Sequence, residues 1–308
     1  MGRTLEAIQM KKIMNYLRLL RPQQWYKNLV VLLAYIFTPQ INHLAVLNEL
    51  TLGFISLCLI SSTNYIINDI IDLKKDRQNP EKRSRPLASG DVSISEGLIT
   101  SVLLLVIGLF IANILGNEFL ITAIFLFGFT MIYTFILKKE AFADILSISI
   151  NFVTRAIAGV FAINPNATFS IDTLNISPWL ILCTFFLALF LAVGKRRGEL
   201  MHLKSAAASH RSTLQSYTPE LTNALLIITT ALLLTSYSLY TFLSEHKNLI
   251  YTLPFALYAV FRYFSIIYSG SAIGRHPEKV FKDVRMIIAM LLWVIAVVLA
   301  VYLLPIPK

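Results

Sequence analysis

Residues 47–90 read LNELTLGFISLCLISSTNYIINDIIDLKKDRQNPEKRSRPLASG, a long apolar run that ends in a cluster of charges. The run 47–71 is long enough for a transmembrane helix, because about 20 apolar residues are needed to cross the hydrocarbon core of a bilayer. Acidic side chains follow at its end, and a basic loop with two prolines follows the acids. The stretch therefore predicts a membrane helix that delivers a charged cluster to one membrane surface.

The rest of the chain is similarly apolar. Of its 308 residues, 56% are hydrophobic and 14% are charged, and the mean hydropathy is +0.67. A soluble domain carries about 25% charged residues, so a soluble enzyme, a disulfide-rich secreted domain and a disordered chain are excluded. Long apolar runs favour helices over a membrane barrel. The predicted fold class is an all-α polytopic membrane protein, in which Cys58 and Cys183 are buried hydrophobic residues rather than a disulfide or metal ligands.

Nine apolar spans are predicted along the chain. They cover residues 26–41, 47–71, 94–115, 118–137, 141–163, 176–194, 220–243, 249–269 and 284–305. Residues 1–25 form a basic amphipathic segment that lacks the apolar core and cleavage site of a signal peptide. Residues 26–308 are predicted to form a single nine-helix transmembrane domain.

Lysine and arginine are distributed unevenly between the two sides of these spans. Alternate loops, starting with the N-terminal segment and counted with Lys27 and Arg285 at the adjoining span ends, hold twenty-three of the 27 basic residues, whereas the opposite loops and the C-terminus hold Lys247 and Lys308. Basic loops stay on the cytoplasmic side of a membrane. We therefore expect an integral protein of the cytoplasmic membrane whose N-terminus and long loops are cytoplasmic and whose C-terminus is outside.

The acidic side chains at the end of the second span share one helical face. Asn64, Asn68, Asp72 and Asp76 are four residues apart, and Asp69 joins the same side. Carboxylates near hydrocarbon are costly and need compensation. Oxygen ligands without His or Cys indicate Mg²⁺, for which Mn²⁺ can substitute. The alternative is a solvated helix end whose acids pair with the neighbouring residues Lys74, Lys75 and Arg77.

A stiff basic loop follows directly. It contains Lys82, Arg83 and Arg85 between Pro80 and Pro86. Acids that hold a metal beside cations that hold phosphate oxygens form the arrangement that a metal–diphosphate complex requires.

These residues resemble a known family. The pattern N-D-x-x-D-x-x-x-D, followed by N-P-x-K-x-x-R-P-x-A-x-G in the second of nine helices, is similar to that of the UbiA superfamily of intramembrane prenyltransferases. The resemblance implies nine helices around a central cavity that opens to the cytoplasm.

The chain departs from the superfamily pattern at the second motif. Most members carry another aspartate-rich motif after the sixth span, but residues 190–220 here read FLAVGKRRGELMHLKSAAASHRSTLQSYTPE, with no aspartate. We expect Lys195 and Arg196 to contact phosphate, while Arg197 faces away from them. A topological anchor on the cytoplasmic side is the alternative for each of these cations.

Further segments resemble one branch, the decaprenyl-phosphate phosphoribosyltransferases. They are the run Arg21-Pro22-Gln23-Gln24-Trp25-Tyr26-Lys27-Asn28, Tyr133 with Lys138, Asp144 with Arg155 and Gly159, Gly194-Lys195-Arg196-Arg197 with Glu199, Phe261-Arg262-Tyr263, and Pro277-Glu278 with Asp283. This resemblance covers about residues 14–300. It implies transfer of 5-phosphoribose from phosphoribosyl pyrophosphate to a polyprenyl phosphate, with release of pyrophosphate, for synthesis of a cell-wall glycan precursor.

Roles for individual residues follow from this resemblance. Asp69, Asp72 and Asp76 are the predicted catalytic acids and, together with Asn68, the Mg²⁺ ligands. The predicted substrate contacts are Lys27, Asn28, Lys82, Arg85, Tyr133, Lys138, Lys195 and Arg196. Asp144, Arg155 and Arg262 are assigned structural or supporting roles, with Asp144 and Arg155 as a candidate ion pair. The acceptor phosphate is ionised at neutral pH, so no general base is required. Snorkelling to lipid headgroups is the alternative for Lys27.

Two other functions remain open. One is a prenyltransferase that uses a prenyl diphosphate donor and an aromatic or glycerol-phosphate acceptor. The other is a lipid transporter, which should show repeats or broken helices in matching halves. The expected partners are phosphoribosyl pyrophosphate, polyprenyl phosphate and the lipid bilayer, with no nucleic acid; a homo-oligomer stays open.

Overall fold

A computed structural model describes residues 2–37, 46–164, 166–170, 177–203, 212–275 and 277–303. Within these ranges the chain forms helices and no strands, which confirms the all-α prediction. The chain divides into two compact units. The first contains residues 1–35, 42–134 and 157–174, and the second contains 36–41, 135–156 and 175–308.

The first unit is built around one long helix. Its α-helices are α1 (Gly2–Leu20), α3 (Leu47–Ile71), α4 (Leu73–Gln78), α5 (Pro86–Ser89), α6 (Ile94–Ile114) and α7 (Asn117–Phe135), after a 3-10 helix at Pro22–Leu32 and the short α2 (Leu33–Ile36). Polar groups link α3 to α6, because Ser56 donates to the Gly108 carbonyl at 2.8 Å and Thr63 donates to the Ser101 carbonyl at 3.2 Å. Such hydrogen bonds hold helices together where lipid provides no hydrophobic driving force.

The second unit contains the remaining helices. They are α9 (Pro178–Leu203), α10 (Pro219–Leu243), α11 (Leu253–Tyr268), α12 (Ala272–Arg275) and α13 (Val284–Val298), with the first part of α8 (Ala143–Ile163). One apolar core contains Phe190 and Tyr263, and another contains Tyr237 and Leu249. Tyr237 accepts a hydrogen bond from Trp293 at 2.8 Å. Its hydroxyl is also 2.6 Å from that of Thr252, so hydrogen bonds as well as packing fix this second core.

Eight helices among the described residues are long and apolar enough to cross a membrane. They correspond to eight of the nine predicted spans. The first predicted span, 26–41, differs: its described part is the 3-10 helix Pro22–Leu32 and the four-residue α2, and its end lies outside the described residues. Cys58 and Cys183 are buried free thiols, as predicted.

Helix α1 has an exposed apolar stripe. Met10, Ile13, Met14 and Leu17 recur at the spacing of one helical face and are all exposed. Basic side chains of the same helix reach acids of the first unit, with Lys12 3.6 Å from Glu96. This pattern is typical of a helix that lies in a membrane interface, and the amphipathic segment stays a prediction.

Close packing at Gly159 gives a first testable consequence. A methyl group at this position of α8 would overlap the backbone carbonyl of Val31, whereas one at Gly128 of α7 would meet nothing within 4 Å. We expect Gly159→Ala to lower the free energy of unfolding by about 1–3 kcal/mol, because a backbone cannot yield as a side chain can. Gly128→Ala is the matched control and should leave the free energy of unfolding unchanged or raise it slightly. Unfolding in mixed micelles measures both, and equal stabilities would contradict the close contact.

Candidate active site

Two acidic residues in the first unit form a buried pair. Asp69 lies on α3 and Asp76 on α4, two helical turns further along, and they are 3% and 2% exposed. Nη1 of Arg85 bridges them, 2.9 Å from Oδ1 of Asp69 and 2.5 Å from Oδ2 of Asp76. Buried carboxylates need paired charges. We refer to Asp69, Asp76 and Arg85 as the acidic cluster.

Two further cations contact the acidic cluster. Arg21 donates to Oδ1 of Asp69, and Nζ of Lys82 lies 3.7 Å from Oδ1 of Asp76. Arg21 precedes the 3-10 helix in a left-handed backbone conformation, with φ 54° and ψ 57°. Two carboxylates therefore face three cations. The net positive charge favours binding of an anion at this position.

The helix that carries these acids is interrupted. Helix α3 ends at Ile71, and Asp72 has φ −88° and ψ 7° before α4 begins. The four-residue ladder nevertheless continues, because the Asp72 amide donates to Asn68 and the Asp76 amide donates to Asp72, both at 2.9 Å. The predicted four-residue spacing is therefore kept, although a break separates α3 from α4. Asn68 and Asp72 are only half-buried, so the buried pair is Asp69 with Asp76.

The donor set fits a divalent cation that arrives with its substrate. Among the described residues, no group of three or more acidic, His or Cys side chains is arranged to hold a metal. Mg²⁺ is usually bound by one or two carboxylates plus substrate phosphates rather than by a complete protein cage. One turn before Asn68, the buried Oδ1 of Asn64 has no hydrogen-bond partner within the described part of the chain. The carboxylates of Asp69 and Asp76, together with the Asn64 oxygen that accepts no described hydrogen bond, therefore suit a metal–diphosphate complex.

Tyr65 of α3 and Lys27 of the 3-10 helix Pro22–Leu32 lie beside this cluster. The Tyr65 ring lies 5.3 Å from the Arg21 guanidinium and 5.9 Å from the Lys27 ammonium. The predicted substrate residue Lys27 is thus near the acidic cluster. Asn28, in contrast, is buried and donates a hydrogen bond to Cys58 at 3.2 Å. This contact attaches the 3-10 helix to α3.

The second unit holds a separate buried charge network. Asp144 is fully buried and accepts from Nε of Arg196 at 2.8 Å and from the Tyr217 hydroxyl at 2.7 Å. Nη1 of Arg196 also donates to Glu199 at 2.7 Å. Burial and the hydrogen bond to Asp144 raise the pKa of Tyr217, so this hydroxyl stays protonated. Two donors of Arg196 are therefore engaged by carboxylates, and its predicted phosphate contact stays a prediction.

The predicted ion pair between Asp144 and Arg155 is wrong. Eleven residues of helix separate the two side chains by about 16 Å along the axis, beyond their reach. Asp144 binds Arg196 instead, and Arg155 donates to the Asn151 carbonyl at 2.7 Å. Arg262, the other cation within a span, binds Asp283 at 2.6 Å. This hydrogen bond lowers the pKa of Asp283, which also caps α13 by accepting from the Met286 amide at 2.9 Å.

The remaining predicted contacts are distributed between the units. Tyr133 lies near the end of α7 in the first unit, whereas Lys138 and Lys195 belong to the second, and all three are half-buried. Sequence reasoning assigned no role to Arg21 or Tyr65, although Arg21 opens the quoted Arg21–Asn28 run. The sequence signal that could have identified Arg21 was its position directly before Pro22, shortly before the first predicted span.

Comparison with known proteins agrees with these observations. Residues 28–275 match the model of the UbiA prenyltransferase family. A relative from Mycolicibacterium smegmatis named decaprenyl-phosphate phosphoribosyltransferase is 30% identical, over 94% of this chain and 93% of its own. One of the same name from Corynebacterium glutamicum is 30% identical, over 94% of this chain and 87% of its own.

Solved structures show the same fold. A UbiA homologue from Archaeoglobus fulgidus bound to DMAPP and Mg²⁺ superposes with a TM-score of 0.70 at 19% identity, covering 94% of this chain and 100% of that one. A similar fold, together with a family match over most of the chain, accounts for the apolar helices. The chain is thus an integral membrane protein that belongs to the UbiA prenyltransferase family.

Proposed function

We propose that this protein transfers 5-phosphoribose from phosphoribosyl pyrophosphate to a polyprenyl phosphate and releases pyrophosphate. The observation that carries the proposal is the acidic cluster, whose two buried carboxylates face Arg21, Lys82 and Arg85. The relatives named decaprenyl-phosphate phosphoribosyltransferase, which match nearly the whole chain, support it. So does the basic segment of Lys195, Arg196 and Arg197, where most of the family carries aspartates.

The residues of the acidic cluster have distinct roles in this reaction. Asp69 and Asp76 would hold Mg²⁺ or Mn²⁺, with Asp72, Asn68 and the unfilled Asn64 oxygen within the same turns of helix. When bound, the metal neutralises negative charge on the pyrophosphate leaving group. Separating Arg85 from the two carboxylates makes its guanidinium available to phosphate oxygens, which it can bind through paired N–H groups.

Lys82 and Lys27 supply further charge at this site. Nζ of Lys82 is 3.7 Å from Asp76, so a small rotation would bring it to a phosphate whose metal ion that carboxylate holds. Lys27 lies in the 3-10 helix Pro22–Leu32, with its ammonium 5.9 Å from the Tyr65 ring, and would contact the phosphate of the lipid acceptor. Preorganised cations of this kind stabilise the charge that develops as pyrophosphate leaves.

The chemical step needs no proton transfer. The bond between C1 of the ribose and the pyrophosphate oxygen breaks, and an oxygen of the lipid phosphate forms the new bond to C1. Because that oxygen is already ionised at pH 7, no general base is required. The acidic cluster matches this requirement, since its described contacts are with Arg and Lys side chains rather than with His.

The distribution of charge supports an orientation for the reaction. The basic loops, including the one that carries Lys82 and Arg85, are proposed to face the cytoplasm, where a soluble phosphorylated donor would enter. The product, a polyprenyl-phosphate-linked phosphoribose, would serve as a precursor for a cell-wall glycan. A reporter fused to the C-terminus and active only outside the cytoplasm tests the orientation.

A comparison of donor and acceptor pairs tests the proposed reaction. Purified protein in nanodiscs is supplied with phosphoribosyl pyrophosphate and polyprenyl phosphate, or with a prenyl diphosphate and an aromatic or glycerol-phosphate acceptor. We expect pyrophosphate release with the first pair. Release confined to the second pair would replace the proposed function with prenyl transfer.

Removal of divalent cations is expected to stop the reaction. With EDTA in excess, the rate should fall to background, because the carboxylates then stay paired with Arg85 and the leaving group keeps its charge. Mg²⁺ or Mn²⁺ should restore it, as both accept oxygen ligands. Pyrophosphate release at the original rate in EDTA would show that the cations act without a metal.

A further inference from the structure

Arg197 is a buried cation without a described hydrogen-bond partner. Its side chain is 5% exposed, and its Nε and Nη1 are buried and bind no acceptor among the described residues. Its guanidinium carbon lies 4.8 Å from the centre of the Tyr268 ring, within the range of a cation–π contact. Burying an arginine without an anion is costly, so its placement is not explained by folding alone.

The preceding residue shows the contrast. Arg196 is buried to a similar degree, at 1% exposed, but its donors bind Asp144 and Glu199. Successive residues of a helix are about 100° apart, so Arg197 faces a different direction. Glu199, two residues further, is nearly opposite Arg197 on the helix and is already bound to Arg196. Within the described ranges, Arg196 therefore binds carboxylates and Arg197 binds none.

Close helix packing holds Arg197 in this position. A side chain at Gly194 would overlap Ile267 of α11, and one at Gly198 would lie 2.9 Å from the Arg275 amide nitrogen on α12. Glycines on both sides of Arg197 thus allow α9 to approach α11 and α12 closely. The guanidinium is confined against Tyr268, and Arg275 adds another basic residue to this end of the second unit.

We infer that Arg197, stacked on Tyr268, is a binding site for a phosphate monoester. Phosphate oxygens accept the N–H groups that lack partners, and the planar guanidinium is well suited to them. The inference rests on the proposed function, in which both substrates carry a phosphate monoester: the 5-phosphate of the ribose donor and the phosphate of the lipid acceptor. It adds Arg197 to Lys195 and Arg196, the residues of this segment that the sequence predicted to contact phosphate.

Binding measured without metal separates this site from the acidic cluster. Full-length protein in EDTA is titrated with ribose 5-phosphate and, separately, with farnesyl phosphate, and the thermal transition is followed. If Arg197→Gln loses the rise in melting temperature that ribose 5-phosphate causes in the wild type, the site belongs to the donor. If it loses the rise that farnesyl phosphate causes, the site belongs to the acceptor. We expect about 10–100-fold weaker binding of one probe. Because no turnover is measured, this result is independent of whether the proposed reaction occurs.

Ligand-free stability provides the second readout. Arg197→Gln should melt at or above the wild-type temperature, because it removes a buried charge that has no described hydrogen-bond partner. Arg196→Gln should melt at a lower temperature, because it leaves the Asp144 carboxylate without its arginine. If Arg197→Gln does not fold, Arg197→Lys carries the test and should bind the same probe more weakly than wild type. Lys139→Gln, an exposed basic residue, should bind both probes normally. Wild-type affinity of the Arg197 variant for both probes would overturn the inference.

Discussion

Asp76→Asn is expected to lower kcat by at least about 10²-fold while the protein remains folded. The carboxylate is 2% exposed and lies 2.5 Å from Arg85 and 3.7 Å from Lys82. The amide keeps the shape of the side chain but loses the charge that would bind the metal, and with it the neutralisation of the leaving group. Pyrophosphate release at saturating Mg²⁺ measures the effect, with the thermal transition as the check on folding.

Asp91→Asn is the matched control for this prediction. Asp91 lies between α5 and α6, accepts a hydrogen bond from Ser89 at 2.7 Å, and pairs with Lys11 at 3.9 Å through an exposed contact. Its replacement should leave kcat unchanged, since it contacts neither Arg85 nor Lys82 in the described hydrogen bonds and ion pairs. Equal kcat values for Asp76→Asn and Asp91→Asn would remove the acidic cluster from the mechanism.

Asp144→Ala is expected to destabilise the protein by about 3–5 kcal/mol. The change leaves the fully buried guanidinium of Arg196 without its main carboxylate, and removal of one partner of a buried ion pair costs about this much. The Tyr217 hydroxyl loses its acceptor at the same time. Reversible unfolding in mixed micelles measures the loss. Asp91→Ala, which removes an exposed pair, should cost at most about 1 kcal/mol.

Removing both charges distinguishes a broken pair from a cavity. In Asp144→Leu combined with Arg196→Met, both fully buried charges are removed, and Glu199, the other partner of Arg196, is 21% exposed and within reach of solvent. Apolar replacements of buried pairs are often tolerated. The double variant should therefore be more stable than Asp144→Ala by more than about 1 kcal/mol. A double variant no more stable than Asp144→Ala would show that packing volume, rather than charge, sets the loss.

The sequence predicted the membrane helices well because their signal is local. Runs such as 94–115 and 220–243 reappear as α6 and α10 within a residue or two, since about 20 apolar residues have few other solutions. The first span was harder. It contains Lys27 and Asn28, and its described part forms a 3-10 helix whose Asn28 turns inward to Cys58. The inward orientation of Asn28 depends on its contact with α3, and the periodicity of residues 26–41 alone does not predict this contact.

The candidate site was predicted in part for the same reason. The spacing from Asn64 to Asp76 correctly placed Asp69 and Asp76 on one side, together with Arg85 from the loop. It could not show that Arg21, forty-eight residues before Asp69, completes the charge balance. Nor could it show that Asp144 pairs with Arg196, fifty-two residues away, rather than with Arg155 on its own helix. Long-range partners are set by helix packing.

The chemical identity of the lipid product tests the central claim most directly. Protein in nanodiscs is incubated with Mg²⁺, polyprenyl phosphate and phosphoribosyl pyrophosphate labelled in the ribose, and the lipid fraction is extracted and analysed by mass spectrometry. The proposed reaction predicts a labelled lipid that contains ribose and its 5-phosphate, formed in the same amount as the pyrophosphate released. Label that stays entirely in the aqueous fraction would contradict it.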